Sequence, residues 1–201
     1  MQIMRKTKIE RKTKETSIRA ELNLDGTGKH RISTGMPFFD HMLSLMARHG
    51  LMDLSLTARG DLAVDYHHTV EDVGIVLGKC IKDALGDMKG IRRYGFASVP
   101  MDEALAEASL DISGRSYLIY KTLYPKRAKI KDFDADLVED FLLALTSNAG
   151  ITLHINALYG RNVHHMIEAV FKALGRAIMD AVAVEPRAKG KIPSTKGRIG
   201  K

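Results

Sequence analysis

The pattern His-His-x-x-Glu occurs twice in this chain, as His67-His68-Thr69-Val70-Glu71 and as His164-His165-Met166-Ile167-Glu168. Each copy opens an apolar segment of helical period, and the flanks correspond as well. Ahead of the first lie His41-Met42-Leu43-Ser44-Leu45, then Gly50, then the alternating Asp53-Leu54-Ser55-Leu56-Thr57. Ahead of the second lie Asp140-Phe141-Leu142-Leu143-Ala144, Gly150 and Thr152-Leu153-His154-Ile155-Asn156. Further upstream, Glu21-Leu22-Asn23-Leu24-Asp25-Gly26 matches Ser109-Leu110-Asp111-Ile112-Ser113-Gly114 in its period-2 alternation. The chain is therefore an internal duplication of roughly a hundred residues, not a solenoid. Whatever one half folds into, the other must approximate.

Within each half the order reads strand, strand, helix, strand, helix. The first two strands are expected at Thr7–Thr13 and Thr16–Leu24, ended by the turn Asp25-Gly26-Thr27-Gly28. Pro37 suits the first position of a helix running to about Arg48, with Gly50 beyond its end. A strand over Leu51–Ala58 follows, and Asp65 caps a helix from about Tyr66 to Asp87. The second half repeats the plan with strands Phe96–Met101, Ala104–Ile112 and Tyr117–Tyr124, helix Ala135–Asn148, strand Ile151–Asn156 and helix Asn162–Val184. Because the strands alternate apolar with polar residues, the helices of each half must cover one face of a four-stranded sheet. The fold class is α+β: a duplicated β-β-α-β-α unit, two four-stranded sheets and an approximate internal twofold axis. The halves divide at residues 1–90 and 91–185, leaving 186–201 as a C-terminal tail.

On a helix, residues i and i+4 lie about 40° apart and i+1 and i+4 about 60° apart, so each Glu falls between two imidazoles. One turn then offers two nitrogens and a carboxylate, a donor set for a divalent transition metal such as Mn, Fe, Co, Ni or Zn. A lone motif of this kind can be surface decoration. Packing, however, does not require it in both copies. His41 and Asp140 occupy equivalent places and both can reach a metal; His49 falls on the same side of its helix as His41. His154 alternates with Leu153 and Ile155 and points away from the core, and His30 falls in a loop.

The net charge of +7 is concentrated near both ends. Six Phe, six Tyr and no Trp leave few stacking platforms for nucleic acid, and a basic nucleic-acid module would leave both HHxxE copies unexplained. A small anionic substrate is served equally well by a few of these cations. Ser194-Thr195-Lys196-Gly197 offers hydroxyls, a cation and free amides for a phosphate. No apolar run approaches the roughly twenty residues that span a bilayer, and the single cysteine, Cys80, reads as a buried thiol in a reducing cytoplasm.

Together, Phe38-Phe39-Asp40-His41-Met42-Leu43, Asp65-Tyr66-His67-His68-Thr69-Val70-Glu71-Asp72, Pro100-Met101-Asp102-Glu103-Ala104, Asp111-Ile112-Ser113-Gly114-Arg115, His164-His165-Met166-Ile167-Glu168-Ala169-Val170-Phe171-Lys172-Ala173 and Pro193-Ser194-Thr195-Lys196-Gly197 resemble the imidazoleglycerol-phosphate dehydratases of histidine biosynthesis. The resemblance covers nearly the whole chain. It implies halves like the second domain of ribosomal protein S5, and conversion of D-erythro-imidazoleglycerol phosphate to imidazole acetol phosphate plus water. It also implies two manganese ions and no organic cofactor. The ligands it implies are His41, His67, His68, Glu71, His164, His165 and Glu168; many members carry a further histidine where this chain has Asp140. Residues matching Glu15, Arg93, Arg115, Ser194 and Lys196 contact substrate, the last four gathering its phosphate, and His41 and His49 are further substrate candidates. Glu168, Glu71 and Glu15 are the candidate acid/base groups, Glu168 first. The resemblance further implies trimers assembled into a particle of twenty-four subunits with sites between subunits, acting on a small phosphorylated imidazole, with no nucleic-acid or membrane partner. A metal-dependent hydrolase, releasing inorganic phosphate or cleaving an amide, is the competing enzyme class.

Overall fold

The computed structural model describes residues 5–200. Strands β1 (Lys6–Lys12) and β2 (Thr16–Asn23) form a hairpin, followed by β3 (His30–Ser33), helix α1 (Pro37–His49), β4 (Asp53–Gly60) and helix α2 (His67–Leu85). The second half repeats this with β5 (Tyr94–Met101), β6 (Ala104–Asp111) and β7 (Tyr117–Lys121), then the short hairpin β8 (Lys129–Ile130) and β9 (Phe133–Asp134). Helix α3 (Leu137–Ala149), β10 (Thr152–Tyr159) and helix α4 (Val163–Val182) complete it, and a 3-10 turn at Pro186–Ala188 opens the tail.

The two sheets have the same topology, β1-β2-β4-β3 and β5-β6-β10-β7. In each, the last strand in the order runs parallel to its neighbour, β3 to β4 and β7 to β10, while the other pairs are antiparallel. The α+β duplication expected from the sequence is thus the fold. The first half holds one strand more than the alternation marks: β3 supplies the fourth strand of its sheet and includes His30, expected in a loop. Its four residues are too few, and too exposed, to carry an apolar/polar signature.

Inner positions of β2 (Ile18, Ala20, Leu22) and β6 (Ala104, Ala106, Ala108, Leu110) are buried, while alternate residues face outward. The two outer faces differ. The first sheet presents Lys6, Lys8, Glu10, Lys12, Arg19 and Glu21, whereas the second exposes Tyr94, Phe96 and Tyr117, each more than half accessible.

The helices pair across the duplication. α1 of the first half packs against α4 of the second, and α2 against α3; α2 also lies on β1 and β2, and α4 on β5 and β6. Glycines permit the close approach. A Cβ on Gly74 would stand 2.7 Å from the carbonyl oxygen of Phe141, and one on Gly78 2.5 Å from that of Leu145. Gly175 of α4, which occupies the place of Gly78, meets the carbonyl of Met46 in α1 in the same way. The apolar faces of both sheets and all four helices merge into one core that includes Phe39, Phe141, Phe171, Met46 and Leu77. Burying Phe141 or Phe171 contributes about 1.5–3 kcal/mol each.

The tail docks on the junction between the halves and on the second half. The Gly90 amide donates to the Lys191 carbonyl at 2.9 Å, and Gly114, at φ +70°, lies so close to Gly200 that no side chain would fit between them.

Candidate active site

Both HHxxE motifs sit in the first turn of their helices, for the same local reason. Asp65 Oδ1 accepts the His67 amide at 2.9 Å, and Asn162 Oδ1 accepts the His164 amide at 2.9 Å. A short polar side chain two residues upstream thus satisfies an amide that the helix start leaves without a partner. Cross-repeat helix pairing then brings each motif to a helix of the other half.

At the α1–α4 seam, His41 Nε2 and His164 Nε2 both donate to Glu168 Oε1, at 2.8 and 3.0 Å. One ligand atom from each of these three residues lies within 4.8 Å of the other two. Glu168 is buried, 7 % exposed, and its Oε2 accepts from Lys172 Nζ at 2.7 Å. Burial alone would raise its carboxyl pKa, but the hydrogen bonds from Lys172, His41 and His164 outweigh that and hold it at about 2. At the α2–α3 seam stands the counterpart: His67 Nδ1 is 3.2 Å from Asp140 Oδ2, and His67 Nε2 is 3.8 Å from Glu71 Oε2. The buried pattern of α1 (Phe39, Met42, Leu43, Met46) maps onto that of α3 (Val138, Phe141, Leu142, Leu145) with a constant offset, which sets His41 opposite Asp140 as the sequence register does. A row of rings runs between the clusters: His164, Phe38, Phe133 of the β8–β9 hairpin, and Tyr66, the residue before His67.

The second histidine of each motif turns elsewhere. His68 Nδ1 donates to Asp61 Oδ2 at 3.1 Å, with Glu15 Oε2 at 4.0 Å, and the Asp61 bond raises the imidazole pKa. His165 Nδ1 donates to Glu103 Oε2 at 2.8 Å, which raises its pKa, and holds Glu103 in turn at about 2. A carboxylate on Nδ1 leaves Nε2 of each ring with a lone pair to offer; that of His165 stands 3.9 Å from Asp102 Oδ2.

His49 lies at the end of α1, where burial and then the charges of Lys172, Arg176 and Arg48 lower its pKa. Arg93, at φ +75°, grips Asp111 with two hydrogen bonds (2.7 and 3.1 Å) and donates through Nη1 to the Pro193 carbonyl at 2.8 Å. That clamp fixes the tail one residue before Ser194, whose Oγ accepts the Lys196 amide at 3.2 Å. Arg115 is exposed on the loop beside Gly114. The structure therefore gathers Arg93, Ser194 and Lys196, with Arg115 beside the docked tail end, on the second half.

Four residues at the clusters escape the sequence reading. Lys172, Asp61 and Glu103 touch Glu168, His68 and His165. Asp72, 6 % exposed, accepts from Arg11 Nε at 2.9 Å and from Thr16 Oγ1, tying α2 to the hairpin that carries Glu15. Glu103 was within reach: the register that pairs Leu22 with Leu110 also pairs Glu15 with Glu103. Lys172 sits at i+4 from Glu168, a spacing that reads as an ordinary helix ion pair.

Comparison with known proteins agrees with this architecture. The family profile described as Imidazoleglycerol-phosphate dehydratase matches residues 34–178. The imidazoleglycerol-phosphate dehydratase of Geobacter metallireducens is 57 % identical over 195 residues, covering 97 % of this chain and 99 % of its own. That of Clostridium botulinum (strain 657 / Type Ba4) is 62 % identical over 190 residues, covering 94 % and 96 %. Crystal structures of the enzymes from Staphylococcus aureus (38 % identity, TM-score 0.80, 89 % of this chain and 99 % of that one) and Pyrococcus furiosus (36 %, 0.81, 95 % and 100 %) superpose on the fold. The class so defined is a carbon–oxygen lyase that removes water. Within it, the chain belongs to the imidazoleglycerol-phosphate dehydratase family, whose step lies in histidine biosynthesis.

Proposed function

We propose that the chain dehydrates D-erythro-imidazoleglycerol phosphate to imidazole acetol phosphate with two divalent metal ions, Mn²⁺ by preference, and that its sites are completed between subunits. The observation carrying this reading is the convergence of His41, His164 and Glu168, with His67, Glu71 and Asp140 as its internal counterpart. Two imidazole nitrogens and a carboxylate oxygen, with no thiolate, suit a divalent metal from Mn to Zn, and the family resemblance favours Mn²⁺ among them. Asp140 would supply oxygen where His41 supplies nitrogen. Three donors are half an octahedral shell, and the outward Nε2 atoms of His68 and His165 are the groups to complete the shells of neighbouring chains. The exposed aromatic face of the second sheet, Tyr94, Phe96 and Tyr117, supports burial against other copies, as in the trimer-based particle of twenty-four subunits. A cytoplasmic location accords with the free, buried Cys80.

In the reaction, the C–O bond on the carbon next to the ring breaks, the neighbouring carbon loses its hydrogen, and the resulting enol tautomerises to the ketone. Metals held by these residues would supply Lewis acidity toward the substrate's imidazole. Proton movement falls to carboxylates. Glu168 has both oxygens occupied, by His41, His164 and Lys172, which suits a ligand better than a carrier. Glu15 is exposed, and its carboxylate makes no hydrogen bond among the described residues, so it is free to swing to substrate and takes the leading acid/base role, with Glu71 next. Arg115, Ser194 and Lys196 bind the phosphate, with Arg93 holding the segment that presents them.

The test is product formation from imidazoleglycerol phosphate by chelator-stripped protein, with and without added Mn²⁺, alongside metal analysis. Ketone that appears only with metal supports the reading. Full turnover by protein shown to be metal-free overturns it, and release of inorganic phosphate instead of loss of water would favour the hydrolase.

A further inference from the structure

The internal duplication places one carboxylate at the same point of both hairpins, immediately before β2 (Glu15) and immediately before β6 (Glu103). Their surroundings have diverged. In the second half the β5–β6 loop is the two residues Asp102 and Glu103, with Asp102 in the left-handed region at φ +47°. Glu103 is saturated there: Oε1 accepts the amides of Asn162 (2.8 Å) and Arg161 (3.2 Å), and Oε2 accepts His165 Nδ1 at 2.8 Å. In the first half the loop is one residue longer, Thr13 to Glu15, and Thr13 Oγ1 closes it by accepting the amides of Glu15 (3.1 Å) and Thr16 (2.9 Å). Glu15 ends 4.0 Å from His68 Nδ1, and Asp61 takes that nitrogen instead, at 3.1 Å.

We infer that Glu103 is a positioning residue that fixes His165 with its proton on Nδ1 and its Nε2 lone pair turned outward, that Asp61 does the same for His68, and that this substitution of Asp61 for the repeat carboxylate is what frees Glu15 for substrate. An ionised carboxylate only accepts, so a ring whose Nδ1 faces one must carry its proton there. Glu103 also anchors the β10–α4 loop, so ring orientation and the start of the helix are set by one side chain. Asp61 reaches His68 with one oxygen while its other, Oδ1, is buried with no hydrogen-bond partner among the described residues, which makes it the less saturated of the two. The inference rests on the reading that His68 and His165 ligate metal.

The experiment compares Glu103→Gln, Asp61→Asn and Glu15→Gln in the full-length protein, by Mn²⁺ titration and by solid-state ¹⁵N spectra of histidine-labelled protein freed of metal. In Glu103→Gln the new side-chain amide keeps an oxygen for the Arg161 and Asn162 amides but turns a donor toward Nδ1, so His165 must move its proton to Nε2. The expected result is one histidine changing tautomer, and one class of Mn²⁺ sites weakened about 10–100-fold, with the fold intact by circular dichroism. Asp61→Asn should weaken the other class, and Glu15→Gln should titrate like the wild type while losing turnover. An unchanged ¹⁵N spectrum for Glu103→Gln overturns the positioning role. Equal loss of Mn²⁺ in Glu15→Gln and Glu103→Gln overturns the division of labour. Wild-type protein that binds no Mn²⁺ would instead overturn the metal reading, and the tautomer comparison would still decide the role of Glu103.

Discussion

Gly78→Ala tests whether cross-repeat helix packing sets the geometry of the second cluster. The added Cβ would lie 2.5 Å from the Leu145 carbonyl oxygen, 2.8 Å from Asn148 Cβ and 2.9 Å from the Ala149 nitrogen, where ordinary contact begins at 3.4 Å. About 0.9 Å of separation must therefore be found between α2 and α3, and two of the three obstacles are backbone atoms that cannot rotate away. Overpacking costs about 1–3 kcal/mol, and with rigid backbone atoms as the obstacles this case belongs at about 2–3 kcal/mol. Ala gains back roughly 1 kcal/mol of helix propensity over Gly, so the net loss expected is about 1–2 kcal/mol. For a chain of this size that is a fall in Tm of roughly 2–8 °C. The same displacement opens the 3.2 Å approach of His67 to Asp140 but leaves His41, His164 and Glu168 at the other seam undisturbed. Differential scanning calorimetry of metal-free protein, paired with Mn²⁺ titration, reads both effects. A Tm equal to or above that of the parent would refute the packing argument, and equal weakening of both metal sites would refute the independence of the two seams.

Asp72→Ala leaves Arg11 and Thr16 without their shared acceptor in a buried setting and should cost about 2–4 kcal/mol in urea denaturation, with kcat falling because the Glu15 hairpin loses its tie to α2. Asp53→Asn should cost about 1 kcal/mol, because Asp53 Oδ1 accepts the Thr27 and Lys29 amides at 2.8 and 3.0 Å. Those amide bonds, Thr27 first, lower the Asp53 pKa, so its contribution is present above the ordinary carboxylate range and fades as pH drops through the lowered value; the variant should show a shallower acid limb in stability against pH. Arg93→Lys cannot reproduce the fork on Asp111 together with the Pro193 contact. Limited proteolysis should then cut the 190–200 segment faster, with KM for substrate rising more than kcat falls.

Much of the architecture is legible from the chain because the duplication doubles every signal. Alternation in Glu21–Gly26 and Ser109–Gly114, and paired HHxxE helices, identify the layers and put His41 opposite Asp140. What the sequence withholds is partnership. Nothing local in α1 says that His41 meets Glu168, 127 residues away, and not the closer motif of its own half. The carboxylates behind His68 and His165 come from unlike places, a strand end and a hairpin turn, so no single spacing finds both. Arg93 reads as a phosphate ligand, and nothing in its sequence neighbourhood says that three of its five N–H groups go to Asp111 and Pro193. Exposed β3 lacks the apolar face that pattern reading depends on.

The crossing of helices between halves also dictates when the protein becomes itself during synthesis. His41 leaves the ribosome with α1, but its partner Glu168 lies 127 residues downstream. At about 5–20 residues per second, α1 waits roughly 6–25 s for α4. Over that interval α1 lacks the cover that α4 gives it. A nascent first half therefore exposes apolar surface that the second half later buries, and neither cluster can form until helices of the second half have emerged.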